Sequence, residues 1–243
     1  MRKRKTKTNL MIGAILIVLA ILLAGCLLRP RTSDIEIPSQ GMPSEASEQQ
    51  KPERSPEPIA LGRGLKLTSL SEVTGNFPED GSDEFVANML SATFLNEGDK
   101  AIQYAAVKVT VGEETFSFVF STLPAGKSVR VFEADRKECV GSEDAVSAEI
   151  ESIVYFQEEP SIYDSDLEIT ISDGIISVKN ISERDMDKEI SVFYKTVSGD
   201  TYIGGITYRL RVPAGLAAGE EYLGNAKHAS EKMSKVMFVT YAE

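Results

Sequence analysis

The fold class is decided by residues 107–120, which read Val-Lys-Val-Thr-Val-Gly-Glu-Glu-Thr-Phe-Ser-Phe-Val-Phe. Apolar side chains occupy every second position on both sides of the central Gly-Glu-Glu. A period of two places these side chains on one face of a β-strand, and the polar centre is typical of a tight turn. This stretch therefore predicts a β-hairpin with one buried face.

The same alternation continues on both sides of this hairpin, from Gly62 to the end of the chain, and few windows repeat at helical spacing. The Asp173-Gly174 pair is typical of another tight hairpin turn. We therefore expect an all-β fold for this region. The pattern predicts strands at residues 65–73, 85–95, 102–111, 115–120, 128–132, 148–156, 167–171, 176–178, 190–195, 202–212, 221–223 and 235–240.

The two halves of this region resemble degenerate copies of each other. Each has a strand that ends in an asparagine, Asn96 or Asn180, and later a Leu-x-Ala-Gly turn, at residues 123–126 and 216–219. Rising polarity at Glu158-Glu159-Pro160 predicts a boundary between the copies. The expected architecture is two tandem immunoglobulin-like antiparallel β-sandwiches, at residues 62–157 and 163–243.

These turns, together with the stretch at residues 202–208, Tyr-Ile-Gly-Gly-Ile-Thr-Tyr, carry a resemblance to known modules. The sequence resembles the FxLYD and CARDB kind of β-sandwich module, which is found on membrane-anchored proteins of Gram-positive, clostridial-type bacteria. The resemblance implies an adhesion or assembly role without an active site.

The N-terminus predicts attachment to a membrane. Leu10–Leu28 contains 19 consecutive uncharged residues, and five Lys or Arg residues precede it. Such a run spans about 28 Å, and the basic flank should stay in the cytoplasm. Residues 1–28 are therefore expected to be a signal or anchor segment that leaves the rest of the chain outside the cytoplasm.

Two interpretations of this segment remain open. Residues 23–26, Leu-Ala-Gly-Cys, resemble a bacterial lipobox, in which signal peptidase cuts before a lipidated cysteine, here Cys26. Alternatively, the segment is an uncleaved transmembrane helix, which Leu27 and Leu28 favour because lipoproteins usually turn polar after the cysteine. Residues 29–61 contain six of the ten prolines among Ser, Glu and Gln, and they predict a disordered linker.

Composition excludes several function classes. The formal net charge is −11, with 26 Lys and Arg against 37 Asp and Glu, so nucleic acid is not an expected partner. The chain has one histidine, no tryptophan, and Cys139 as the sole cysteine after the anchor segment. No nucleophile elbow, histidine pair or phosphate loop is present in the sequence, so we expect neither an enzyme nor a cofactor.

Two groups of residues are candidate sites. Acidic loops could hold calcium through their oxygens, although their spacing differs from that of dedicated calcium loops. Paired glycines inside a strand predict a bulge, and their tyrosine neighbours could form a binding surface. The calcium candidates are Asp80, Asp83, Glu84, Asp164 and Asp166, and the candidate binding surface is Tyr202, Gly204, Gly205 and Tyr208.

The function expected from the sequence is that of a non-catalytic interaction or structural module of the bacterial cell envelope. It would be anchored to the membrane through its N-terminus and would meet a protein or cell-wall partner. The alternative is a ligand-binding or sensing lipoprotein that serves a transporter or signalling system, which would need a deep pocket. A hydrolase that uses paired carboxylates, or a serine with a lysine, is the third class.

Overall fold

The computed structural model of the chain describes residues 57–77, 79, 84–139 and 146–242, and all of them belong to one compact unit. Cys26, the apolar run and most of the linker lie outside the described residues. Within the described part, no helix is long and apolar enough to cross a membrane.

The described chain is all-β, as the sequence predicted, and its strands form three sheets. A seven-stranded sheet has the order β1-β2-β3-β6-β11-β10-β13, and two three-stranded sheets have the orders β5-β4-β7 and β12-β9-β8. The strands are β1 Ile59–Gly62, β2 Leu65–Asn76, β3 Phe85–Asn96, β4 Ile102–Val111, β5 Glu114–Leu123, β6 Ser128–Phe132, β7 Val146–Tyr155, β8 Leu167–Ser172, β9 Ile175–Asn180, β10 Ile190–Ser198, β11 Thr201–Val212, β12 Glu221–Asn225 and β13 Ser234–Tyr241.

The hairpin at residues 107–120 confirms the prediction made from its alternation. Val109 pairs with Phe116 across β4 and β5, and both side chains are fully buried. The inner face of the sheet β5-β4-β7 packs against β2, β3 and β6 in one apolar cluster, in which Phe94 stacks on Phe120. Burial of these side chains stabilises the layer by about 1.5–3 kcal/mol each.

A second apolar cluster lies between the sheet β12-β9-β8 and strands β10, β11 and β13. We call strands β1–β7 the N-terminal half and strands β8–β13 the C-terminal half. The order β2-β3-β6 over β5-β4-β7 in the first half corresponds to β8-β9-β12 over β11-β10-β13 in the second. The two halves therefore have the same strand order.

The turns that the sequence singled out are held by the same hydrogen bonds in both halves. The side-chain amide of Asn96 donates to the backbone oxygens of Lys100 and Leu123, and that of Asn180 donates to those of Arg184 and Leu216. Each asparagine also accepts a backbone bond, from Gly126 and Gly219 respectively. Both asparagines are fully buried.

Two features differ from the sequence prediction. Residues 59–61, assigned to the disordered linker, belong to β1, which pairs with β2. The apolar side chains of Ile59 and Leu61 explain this, since they pack on the core of the N-terminal half. The second feature is that one sheet runs through both halves, because β6 and β11 pair in parallel from Thr201↔Ser128 to Ile203↔Arg130.

Candidate functional site

The candidate site lies where the two halves meet, at an irregularity in β11. Tyr194 of β10 pairs with Tyr208, but Thr196 pairs with Ile203, so four residues of β11 lie opposite Lys195 alone. Gly204 adopts a φ of 84°, which few side chains tolerate. The predicted bulge at the paired glycines is therefore confirmed, and it turns the backbone of β11 toward the N-terminal half.

Gly205 brings the two halves into direct backbone contact. A Cβ at this position would lie 2.1 Å from the backbone oxygen of Val119 in β5. No side chain fits in that space without displacement of one strand. Glycine is therefore required at position 205. We call this contact region between the two halves, around Gly205 of β11 and Val119 of β5, the joint.

Lys195 is a fully buried cation at this joint, with 0 % of its surface exposed. Its Nζ donates to the backbone oxygen of Ser121 at 2.9 Å and to that of Gly205 at 3.4 Å. Beside it, the hydroxyls of Ser121 and Thr207 are 2.8 Å apart. Burial lowers the pKa of Lys195 from 10.5 to about 8, an effect that the nearby charge of Glu79 partly opposes.

Glu79 supplies the opposite charge from the connection between β2 and β3. It is 9 % exposed, its Oε1 accepts a hydrogen bond from the backbone nitrogen of Gly205 at 3.0 Å, and its backbone oxygen accepts one from the Tyr208 hydroxyl at 2.8 Å. Burial raises the pKa of Glu79, while the backbone hydrogen bonds and Lys195 act against that rise. A residue of the N-terminal half is thus bound inside the bulge of the C-terminal half.

Two cavities flank Glu79, which lines both. The larger has a volume of about 540 Å³ and carries the exposed apolar side chains Tyr104, Val119 and Ile206. The smaller, of about 260 Å³, is lined on its other side by Tyr208 and His228, whose rings stack with centroids 4.7 Å apart. The joint therefore combines a buried lysine and a nearby buried carboxyl group with apolar recesses on either side.

The other charged groups at the larger cavity have partners within the protein. The Glu133 carboxylate accepts backbone hydrogen bonds from Ser117, Asp135 and Lys137, at 3.1, 2.9 and 2.8 Å. The Arg136 guanidinium bonds Glu84 and lies over the ring of Phe77. The cavity therefore offers mainly apolar surface and hydroxyl groups to a ligand, an arrangement suited to binding.

The structure brings the four residues of the candidate binding surface together, but largely inside the protein. Tyr202 is 4 % exposed and belongs to the core of the N-terminal half, so it does not contribute an exposed ring. The reason is that β11 pairs with β6 at this point. Gly204 and Gly205 are buried as well, while Gly205 lines the larger cavity and Tyr208 the smaller.

The calcium candidates are not brought together within the described residues. Glu84 is paired with Arg136, whereas Asp164 and Asp166 lie in the turn before β8. In residues 57–77, 79, 84–139 and 146–242, no group of three His, Cys, Asp or Glu side chains could hold a metal ion. Asp80 and Asp83 lie outside the described residues, so calcium binding there stays a prediction.

Sequence reasoning missed Lys195 and Glu79 as a pair. Glu79 was one member of the acidic stretch at residues 79–84, whose composition predicts a solvated loop. Lys195 ended a predicted strand, where a lysine ordinarily faces water. The available signal was the glycine pair opposite Lys195, since glycines inside a strand indicate a close approach of another group.

Comparison with known proteins adds no relative: no protein-family model, curated protein or solved structure matches this chain. The class of protein must therefore be argued from its own residues.

Proposed function

We propose that this chain is a non-catalytic interaction module of the bacterial cell envelope, anchored to the membrane through residues 1–28 and exposed outside the cytoplasm. Its two halves would be tandem immunoglobulin-like β-sandwiches of the FxLYD and CARDB kind, related by duplication. The basic and apolar N-terminus supports the location. The shared strand order and the matching bonds of Asn96 and Asn180 support the duplication.

One observation carries the non-catalytic part of the proposal. Lys195 has a pKa of about 8, which in an open cleft would suit a general base or a nucleophile. Its Nζ is instead fully buried and donates to backbone oxygens of both halves. A lysine bonded in this way holds two layers together, so we assign it a structural role. A joined pair of modules presents a fixed surface to a partner.

A ligand-binding or sensing role is the second candidate, because a specific observation favours it. The cavity of about 540 Å³ at the joint has the size of a small-molecule site, and Ser121 and Thr207 place hydroxyl groups in its wall. A ligand held there would contact both halves. Isothermal titration of a metabolite panel against the full-length protein would detect such binding, and an Ile206→Glu variant should abolish it.

Protease accessibility in whole cells tests the proposed location. The full chain, with a C-terminal tag, is produced in a Gram-positive host, and the protoplasts are treated with protease. We expect loss of the tag while a cytoplasmic marker survives, and a protected tag would contradict the proposal. Mass spectrometry of the mature protein, compared with a Cys26→Ala variant, distinguishes a lipidated Cys26 from an intact transmembrane helix.

Crosslinking tests the interaction role. In intact cells, we expect the module to crosslink reproducibly to one envelope protein or to the wall fraction. An Ile206→Glu variant places a charge on the exposed rim of the joint and should reduce the yield, whereas a Leu223→Glu variant on β12, also exposed, is the matched control. Hydrolytic activity in the purified protein, but not in a mock preparation from the host without this protein, would argue against a non-catalytic module.

A further inference from the structure

The two halves have the same strand order, but they differ at one sheet edge. The difference lies at β2 in the N-terminal half and at β8 in the C-terminal half. Leu65 of β2 pairs with Asn96, and Leu167 of β8 pairs with Asn180. Since the two asparagines occupy equivalent positions, Leu65 corresponds to Leu167 and Leu67 corresponds to Ile169. Strands β2 and β8 are therefore the same strand in the two copies.

In the N-terminal half, this strand is covered by β1. Ile59 pairs with Leu67, β1 also contacts β7, and the apolar side chains of β1 pack on the core. In the C-terminal half, β8 is the edge of its sheet, and β9 is its sole strand neighbour in the described part of the chain. Among the described residues, the second half therefore has no strand equivalent to β1.

The backbone of β8 is oriented to accept such a strand. Ile181 donates its backbone N–H to Asp166, so the hydrogen-bonded pairs of β8 and β9 continue as Glu168 with Lys179 and Thr170 with Ser177. In an antiparallel ladder, the intervening residues direct their N–H and C=O groups away from the partner strand. Ile169 and Ile171 therefore present their backbone groups at the open edge.

The space beside this edge is an apolar groove with an acidic rim. It has a volume of about 330 Å³ and is lined by Leu167 and Ile169 of β8 and by Val236 of β13. Ile162 and Ile181 also line it and are exposed, and the charged groups that line it, Asp164 and Glu168, are both acidic. Alternating apolar side chains like those of β1 would fit this groove, and basic side chains would complement its rim.

We propose that the open edge of β8 binds an extended, positively charged segment of a partner protein by strand addition, antiparallel to β8 and in the place that β1 takes on β2. This inference goes beyond the proposed function, because it names a surface and the chemistry of its partner. It does not depend on where the protein is located, so its failure would leave the proposed envelope location untouched.

The test uses the full chain in detergent micelles and a short fluorescent peptide in which isoleucine alternates with lysine. We expect saturable binding by fluorescence anisotropy, together with slower hydrogen exchange at the amides of Ile169 and Ile171. Glu168→Lys should weaken binding about threefold. Glu231→Lys, an exposed charge reversal in a loop of the same half, should leave it unchanged. Ile169→Pro removes an edge donor and should abolish binding.

A second peptide keeps the test decisive if Ile169→Pro fails to fold. It has the same side chains but carries a methyl group on every backbone nitrogen, so neither of its edges can donate hydrogen bonds to a strand ladder. Equal binding of both peptides would overturn the proposal, because charge alone would then explain the affinity. Self-association of the full chain that Glu168→Lys disrupts would also overturn it, since the occupant would then be a second copy.

Discussion

Lys195 of the C-terminal half donates its Nζ to the backbone oxygen of Ser121 in the N-terminal half, over a distance of 2.9 Å. The two residues lie 74 positions apart in the chain. Glu79 bonds Gly205 from the other half, so the polar contacts of Lys195 and Glu79 connect the two halves at the joint. A buried polar contact stabilises a structure only while all its members are satisfied.

Replacement of Lys195 by methionine should therefore destabilise the protein strongly. The variant keeps the length of the side chain, but it removes the Nζ bonds to the backbone oxygens of Ser121 and Gly205 and the positive charge near the buried Glu79. We expect the free energy of unfolding to fall by about 2–4 kcal/mol in urea denaturation. The double variant Glu79→Gln, Lys195→Met should lose less than the two single changes combined, because it buries no uncompensated charge.

Lys235 offers the matched control for this variant. It lies on β13 directly opposite Lys195 in the strand register, but it is exposed. Lys235→Met should change the free energy of unfolding by less than about 0.5 kcal/mol. Equal losses for the two lysines would show that the buried ammonium does not stabilise the joint.

The buried Lys195 should also make the free energy of unfolding depend on pH. The pKa of Lys195 is about 8 in the folded protein and 10.5 in the unfolded chain, so between these values the unfolded state binds more protons. Stability then rises with pH across this window, by about 3 kcal/mol at pH 10.5. The measurement is the free energy of unfolding from pH 7 to 10.5, relative to Lys195→Met, and a difference that stays flat would contradict this account.

Glu79 should give a pH dependence of the opposite direction: its contribution to the free energy of unfolding falls as the pH rises from acidic values. Because burial raises its pKa above the ordinary value of 4.5, the folded state binds more protons just above that value. Stability from this group is therefore present at low pH and is lost as the pH rises through the folded pKa. A Glu79→Gln variant should remove this loss between pH 4.5 and neutrality, as urea denaturation at each pH would show.

Gly205→Ala tests the backbone contact of the joint. The added Cβ would lie 2.1 Å from the Val119 oxygen, so β5 and β11 must separate. We expect a loss of about 3 kcal/mol in the free energy of unfolding. Gly199→Ala is the control, because its φ of 57° costs about 1 kcal/mol while no atom lies within 4 Å of the added methyl. A smaller loss for Gly205→Ala than for Gly199→Ala would exclude a tight joint.

Much of the fold could be predicted from local alternation, because a strand with one buried face has an apolar side chain at every second residue. Val107–Val111 and Phe116–Phe120 are an example, and the predicted strand at residues 102–111 is observed with the same bounds. β1 was missed because four residues beside a proline-rich stretch are too few to show a period.

The joint could not be predicted from the sequence, for a different physical reason. β6 and β11 pair although they belong to different halves and lie far apart in the sequence. Neither Val129 nor Tyr202 carries a signal for its parallel neighbour, since alternation reports which face is buried and not which strand lies alongside. The buried Lys195 follows from that pairing, so its role was hidden as well.

Asn96 and Asn180 provide the test of whether the two halves share one turn design. Each side-chain amide donates to two backbone oxygens, at 2.9 and 3.2 Å for Asn96 and at 2.8 and 3.1 Å for Asn180. Alanine at either position removes both of these bonds and leaves a void at a fully buried position, so we expect each change to lower the free energy of unfolding by about 2–3 kcal/mol. Aspartate is nearly the same size but cannot donate when ionised, and it should cost at least as much. Asn225→Ala, at an exposed position, should cost less than about 0.5 kcal/mol. If urea denaturation finds that one of the two buried asparagines tolerates alanine while the other does not, the halves share a strand order but not the bonds that fix their turns.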